Sequence, residues 1–361
     1  MDENYARPPL IDVTLPPAIV LSYIHLTLVY FVTLATDFFL LKNTKRRVPL
    51  GFLITVVHVA LPLIFTTHNR MVNLFFAGIP WSIACFTFNM PLEQLTFHEW
   101  AKNVFKITLD PSSKEIPAHN SRYRGAALVF LGFLKFSFMN LLVEPFLPSK
   151  TVFGLYYSWF HPMSLIYTLL YGLKIYCTLG GMDIVLGIEQ MITGWNMLEL
   201  FDSPILATSP RDFWSVRWNR TVRNLLHSQV FSEGKRIEIQ EEKKLGYELS
   251  EDEEQEVLVI VETSKSARKR AKEQQKNEEE QMSGIFHELL VMSACRKLTL
   301  ENITFFLVQG VVVALEVALR QGALKQKPEG KTRVVCIAAQ LTFMMITGRL
   351  FLGPFLRYGF I

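Results

Sequence analysis

Two short stretches of the sequence concentrate groups capable of chemistry. The first is Ser209-Pro-Arg-Asp-Phe-Trp-Ser-Val-Arg-Trp-Asn-Arg220. Ser209 suits a helix N-cap, Pro210 the first helical position and Asp212 the first turn. Phe213, Trp214, Arg217, Trp218 and Arg220 then gather aromatic and basic groups, and on an α-helix Arg217 and Arg220, three apart, share a face. Guanidinium groups bind phosphate oxygens and aromatic faces stack on planar rings, so such a helix could admit a coenzyme A headgroup. An interfacial helix with no ligand carries the same residue types, and the residues alone leave both readings open.

The second stretch is Met282-Ser-Gly-Ile-Phe-His-Glu-Leu-Leu290. His287 stands at the mouth of an apolar segment, after Ser283 and Gly284 and before Glu288. Ionisable groups in such segments are costly, which makes them candidates for function, and imidazole suits a general base near neutral pH. A satisfied packing histidine is the alternative. A zincin needs HExxH, but Val291 occupies the second histidine position, so no metal is expected. His25, His58 and His161 also lie in or near apolar stretches and are expected to be packing or interfacial histidines. There is no Gly-rich nucleotide loop, no GxSxG elbow and no kinase set. None of the eight histidines is followed by Asp four or five residues on, which disfavours the HxxxxD type of acyltransferase.

The elements that must hold these groups read as membrane spans. Half of the 361 residues are hydrophobic and 19% are charged, against about 25% charged in a soluble chain. Apolar runs of the length a bilayer core requires fall at about Pro17–Leu41, Leu50–Phe65, Met71–Met90, Gly125–Phe146, Trp159–Gly180 with an extension to Leu186, Ile303–Leu319 and Val334–Leu352. The shorter run Gly284–Ala294 is either an eighth span or re-entrant. The first run is too long for a signal peptide and reads as a retained span. An eight-span, all-α bundle puts the basic clusters at Lys42–Arg47, Lys102–Arg124 and Lys325–Arg333 on one side, the cytoplasmic one.

Between the two motifs, residues 232–281 hold an acidic run and then a basic run around Val257–Val261. That blocky pattern reads as a solvated cytoplasmic insert. It separates an N-terminal unit, 1–231, from a C-terminal one, 282–361. A net charge of +4 is too small to suggest nucleic acid. The four cysteines are widely spaced without a CxxC pair and read as free thiols. The sequons at Asn219 and Asn302 read as chance matches.

Together the motifs carry a resemblance. Ser209–Arg220 resembles the S-x-x-D-F-W-x-x-R-W-N signature of wax synthases and their fungal relatives, a branch of the membrane-bound O-acyltransferase superfamily. Ser283-Gly-Ile-Phe-His-Glu288 is similar to the S-G-x-x-H-E block that carries that family's histidine. Phe305-Phe-Leu-Val-Gln-Gly310 and Leu350-Phe-Leu-Gly-Pro-Phe-Leu-Arg357 are similar to its C-terminal part. The likeness covers most of the second half, and the first half matches only in its spans. Two departures stand out: the insert is longer than the family's, and Ser215 replaces a frequent plant glycine.

The resemblance implies a membrane-bound O-acyltransferase fold and an acyl-coenzyme A-dependent transfer to a lipid alcohol. His287 is then the catalytic base and Asn219 its polar partner. Asp212, Phe213, Trp214, Arg217, Trp218, Arg220 and Glu288 are expected to contact substrate. Acyl-coenzyme A is a co-substrate, no further cofactor is implied, and the partners are a hydrophobic alcohol and membrane lipid. Endoplasmic reticulum residence follows from the family. The alternatives are acetyl transfer to a terpenoid or sterol and a non-catalytic lipid-binding or transport role. The absence of an inverted repeat disfavours transport.

Overall fold

The computed structural model describes residues 7–44, 46–106, 109, 117–218, 284–319 and 328–360. The 232–281 insert, Asn219, Arg220 and Ser283 lie outside the described residues. In chain order the main elements are β1 (Val13–Thr14), β2 (Ile19–Val20), α1 (Tyr23–Asn43), α2 (Arg47–Ile64), β3 (Phe65–Thr66), α3 (Arg70–Asn89), α4 (Phe97–Phe105), α5 (Ala118–Phe138), α6 (Pro162–Thr178) and α7 (Gly180–Thr193). A short helical piece, α8 (Pro210–Asp212), follows. The C-terminal part holds α9 (Gly284–Cys295), β4 (Lys297–Leu298), α10 (Glu301–Leu319) and α11 (Gly330–Arg357).

Helix starts follow local chemistry. The Ser22 hydroxyl accepts the His25 N–H ahead of α1, and Asn69 accepts from Met71 and Val72 ahead of α3. Thr96 and Glu99 form a reciprocal capping box on α4. His161 caps α6 by accepting the Met163 N–H, with Pro162 in the first turn, so this histidine is structural as expected. His25 is likewise engaged, 2.7 Å from Ser22 Oγ.

Among the described residues, seven helices are long and apolar enough to cross a membrane. These are α1, α2 and α3, then α5 with its continuation to Phe146, α6 joined to α7, and finally α10 and α11. The eighth expected span corresponds to α9, which at about 1.5 Å per residue is shorter than a hydrocarbon core of about 30 Å. Large apolar side chains such as Phe31, Phe52, Phe130 and Leu141 are exposed on the bundle's flanks. Polar groups lie inside. His58 and Asp37 meet at 2.7 Å between α1 and α2, and Lys135 pairs with Asp183 at 2.5 Å between α5 and α7. This inside-out distribution is what lipid as solvent requires.

The N-terminal boundary differs from the sequence expectation. Pro17–Leu21 is not helical: β1 pairs antiparallel with β4, and β2 pairs parallel with β3. Pro16 and Pro17 lack the N–H groups a helix would use, and the flanking Val, Thr and Ile favour extended backbone. This arm crosses the end of the bundle to which α9 runs, where Arg296 donates to the Leu63 carbonyl at 2.8 Å. Glu301 and Arg357 pair at that same end. The opposite end is basic: Lys42 donates to the Leu95 carbonyl, Arg47 to Met90, and Arg124 meets Glu199.

Helices α5 and α7 run antiparallel in close contact because glycines oppose glycines. A Cβ on Gly125 would lie 2.7 Å from the Gly187 carbonyl oxygen, and one on Gly132 2.7 Å from that of Gly180. Small residues permit this approach of backbones in lipid. Gly125→Ala is therefore expected to force the helices apart and cost about 1–3 kcal/mol, read as a lower melting temperature in detergent. Gly172→Ala is the matched control, since nothing lies within 4 Å of the added methyl. It should be neutral or slightly stabilising.

Candidate active site

The first motif begins as the sequence suggests and then departs from it. Ser209 caps α8 by accepting the Asp212 N–H. The chain next widens into a π-turn over Phe213–Arg217, closed by the Trp218 N–H on the Phe213 carbonyl at 2.9 Å. This turn ends at Trp218, whose backbone is extended; Arg220, expected to share a helix face with Arg217, lies outside the described residues. On an α-helix, residues five apart point about 140° away from each other. The wider turn instead aligns them. Phe213 stacks on Trp218 at 5.2 Å, and Arg217 Nε donates to Asp212 Oδ2 at 2.9 Å.

The Arg217 guanidinium also donates to the Asp202 carbonyl at 3.0 Å, and Asp212 Oδ2 accepts from the Thr208 N–H. Burial alone would raise the Asp212 pKa, but the Thr208 N–H and Arg217 outweigh it and hold the group below its ordinary 3.8. A depressed folded-state pKa adds stability above the unfolded value and loses it as pH falls through the folded one. Between pH 6 and pH 3, wild type should therefore lose roughly 2–4 °C more in melting temperature than Asp212→Asn. Equal losses would deny the pair this role.

Trp214 reaches inward from this turn. Its indole N–H donates to Gln309 Oε1 at 3.1 Å, and the Gln309 amide in turn donates to Thr347 Oγ1 at 3.0 Å. The ring lies 5.3 Å from Phe306 and 6.0 Å from Phe305. Nearer the basic end, the Arg211 N–H donates to Glu316 at 3.1 Å. The motif thus straps the basic end of α10 and plants one tryptophan in the core.

His287 meets the same aromatic group. Its ring centroid is 4.5 Å from Phe306, 5.6 Å from Phe351 and 5.6 Å from Phe286. Phe286 packs on Trp81 at 4.8 Å, near the middle of α3, which puts His287 well inside the bundle. Phe306 is therefore shared by Trp214 and His287, two residues far apart in sequence that carry the two motifs.

Glu288 faces a different task. Its Oε1 accepts the Thr299 and Leu300 N–H groups at 2.7 and 2.8 Å and the Thr299 hydroxyl at 3.1 Å. Its Oε2 accepts the Asn302 N–H at 3.2 Å. The carboxylate thus caps α10 from across the turn and ties α9 to it. Its side chain is buried within the protein.

Phe306, Phe351, Gln309 and Thr347 received no role from the sequence. The available signal was Gln309 itself, an amide in an apolar span, where a polar group needs a partner.

These features define a polytopic helical membrane protein with a histidine in an aromatic core, approached from the basic end by a Trp- and Arg-rich turn. Comparison with known proteins sets three relatives beside that description. The chain is 28% identical over 209 residues to Probable long-chain-alcohol O-fatty-acyltransferase 9 of Arabidopsis thaliana, covering 56% of this chain and 53% of that protein. It is 27% identical over 314 residues to Probable long-chain-alcohol O-fatty-acyltransferase 2 of the same plant, covering 84% and 80%. A third relative, the long-chain-alcohol O-fatty-acyltransferase of Simmondsia chinensis, is 26% identical over 188 residues, covering 50% and 45%. The chain thus spans about half the length of most of these relatives. No protein-family model matches it.

Proposed function

We propose that this protein is a membrane-bound O-acyltransferase that esterifies a long-chain lipid alcohol with an acyl-coenzyme A. The observation that carries the reading is the meeting of the two motifs on Phe306, which is in ring contact with both His287 and Trp214. The three relatives support the reaction class by their names.

In this reading the basic end faces the cytoplasm, in keeping with the positive-inside rule, and the membrane is that of the endoplasmic reticulum. Coenzyme A enters at that end along the 209–220 segment, where Arg220 and the outer face of Trp218 meet its phosphates and adenine. Arg217 and Asp212 hold that segment in shape. The alcohol arrives laterally from lipid. His287 takes the hydroxyl proton as oxygen attacks the thioester carbonyl, and Asn219 orients the reacting groups. Holding both reactants in one dry core supplies proximity and orientation. The ester leaves sideways into lipid and the thiol returns to water.

The test is thiol release in microsomes expressing the chain, with thioesters from acetyl to palmitoyl and fatty-alcohol, sterol and terpenoid acceptors. Release that needs a long-chain thioester and a fatty alcohol supports the reading. A preference for acetyl-coenzyme A with a sterol or terpenoid replaces it by acetyl transfer. No release from correctly inserted protein with any pair removes the enzymatic reading.

A further inference from the structure

Asn302 is the second residue of α10, and its side chain is completely buried. Neither its amide nitrogen nor its amide oxygen has a hydrogen-bond partner among the described residues. Buried polar groups are overwhelmingly paired, because an unpaired amide loses its hydration without replacement. A leucine of similar size would escape that penalty, so the amide is a group held ready for something it does not yet touch.

Its position says what that is. The Asn302 N–H is bound by Glu288, the residue after His287. One turn further along α10, Phe306 carries the His287 ring at 4.5 Å. Gly284, at the start of α9, packs on Ile303, where an added Cβ would lie 3.3 Å from the Ile303 Cα. The first two turns of α9 therefore lie against the Asn302–Phe306 turn of α10. Gln340 also has an unpartnered buried amide, but it lies two turns before Thr347 on α11, toward the basic end and away from this seam.

We propose that Asn302 donates its side-chain N–H to the carbonyl oxygen of the thioester as the acyl group is transferred. This rests on the acyltransferase reading. The alcohol oxygen bonds to the carbonyl carbon while its proton moves to His287. The carbonyl π pair shifts onto oxygen, which accepts the Asn302 N–H. On collapse the C=O re-forms, the C–S bond breaks, and the departing sulfur takes the proton back from imidazolium. The sum is ester plus thiol, with His287 and Asn302 unchanged. Such a donor acts on charge that develops in the transition state, where removal of one donor typically lowers turnover by about 10²–10³-fold.

The experiment compares Asn302→Leu and Asn302→Ala with wild type, as full-length chains in lipid nanodiscs. It measures kcat, KM and melting temperature with palmitoyl-coenzyme A and hexadecanol, or with the best pair from the substrate panel. The expected result for Asn302→Leu is a kcat lowered about 10²–10³-fold, a KM within about threefold, and a melting temperature unchanged or higher, since an apolar group of like size replaces an unpaired amide. An independent readout is the infrared C=O stretch of carbonyl-labelled palmitoyl-coenzyme A bound to the inactive His287→Ala background. It should shift to lower frequency, and adding Asn302→Leu should abolish the shift. Turnover within about threefold of wild type would overturn the proposal, leaving the amide to a buried water and the acyltransferase reading intact. Activity that falls only in step with folded protein across both variants would overturn it too. A wild-type protein that turns over no thioester would remove the reading and the proposal together.

Discussion

His287→Ala is expected to lower turnover by about 10²–10⁴-fold while leaving the bundle assembled. The ring is only half-buried, and its ring contacts include Phe286, Phe306 and Phe351. Losing it removes packing from one side of a large aromatic group, and Phe305, Phe306 and Leu350 form a core cluster of their own. His287→Phe refines the test, because it keeps an aromatic ring against Phe306 and removes both imidazole nitrogens, including the one that accepts the proton. Both variants should show wild-type melting temperatures within about 2 °C and the same low turnover. Activity retained by His287→Phe would mean that the ring acts by shape, and the general-base assignment would fail.

Glu288→Ala is expected to behave in the opposite way, abolishing the folded protein before it abolishes chemistry. The substitution strips one acceptor group from three backbone N–H groups and one hydroxyl, all at the start of α10. A buried donor left without a partner costs about 1–3 kcal/mol, so the loss is on the order of 4 kcal/mol even after partial relaxation. The turn it holds is also strained: Arg296 and Leu300 adopt φ of 57° and 58°, where side chains other than Gly are disfavoured. Glu288→Gln keeps one acceptor oxygen but presents an NH₂ to groups that themselves donate, and should fall between Ala and wild type. Thermal unfolding and limited proteolysis in detergent measure the series. A Glu288→Ala protein as stable as wild type would show that the turn holds itself.

The difference between these two neighbours marks where sequence reasoning stopped. The long spans were legible because a bilayer demands apolar length, and the Ser209 cap because capping is local and acts within three residues. Glu288 was expected to contact substrate, yet its partners lie 11 to 14 residues away on the backbone of a turn, and backbone N–H groups leave no trace in side-chain patterns. The π-turn at Phe213–Arg217 was hidden for a related reason. A reading in steps of 3.6 residues gave no reason to pair Arg217 with Asp212, five residues earlier, which the widened turn brings together. Phe306 looked like any span phenylalanine until the fold set Trp214 and His287 both against it. His58 was rightly read as a packing histidine, but its partner Asp37, on another helix, was not foreseen.

The pairing of β1 with β4 bears on how the chain is made. Lys297 meets Asp12, 285 positions earlier in the sequence. At a synthesis rate of about 5–20 residues per second, the N-terminal arm waits tens of seconds for its partner strand to appear. During that interval its Val13 and Thr14 N–H and C=O groups face the interfacial water as an open edge. The clasp can form only after α9 and β4 have been synthesised, and the Ile11 N–H then binds the Thr299 carbonyl in the turn that Glu288 organises. Assembly of the histidine-bearing helix is in this way one of the last events in the biogenesis of the molecule, so truncation or retagging of the arm would act on yield of the mature core before it acted on any catalytic step.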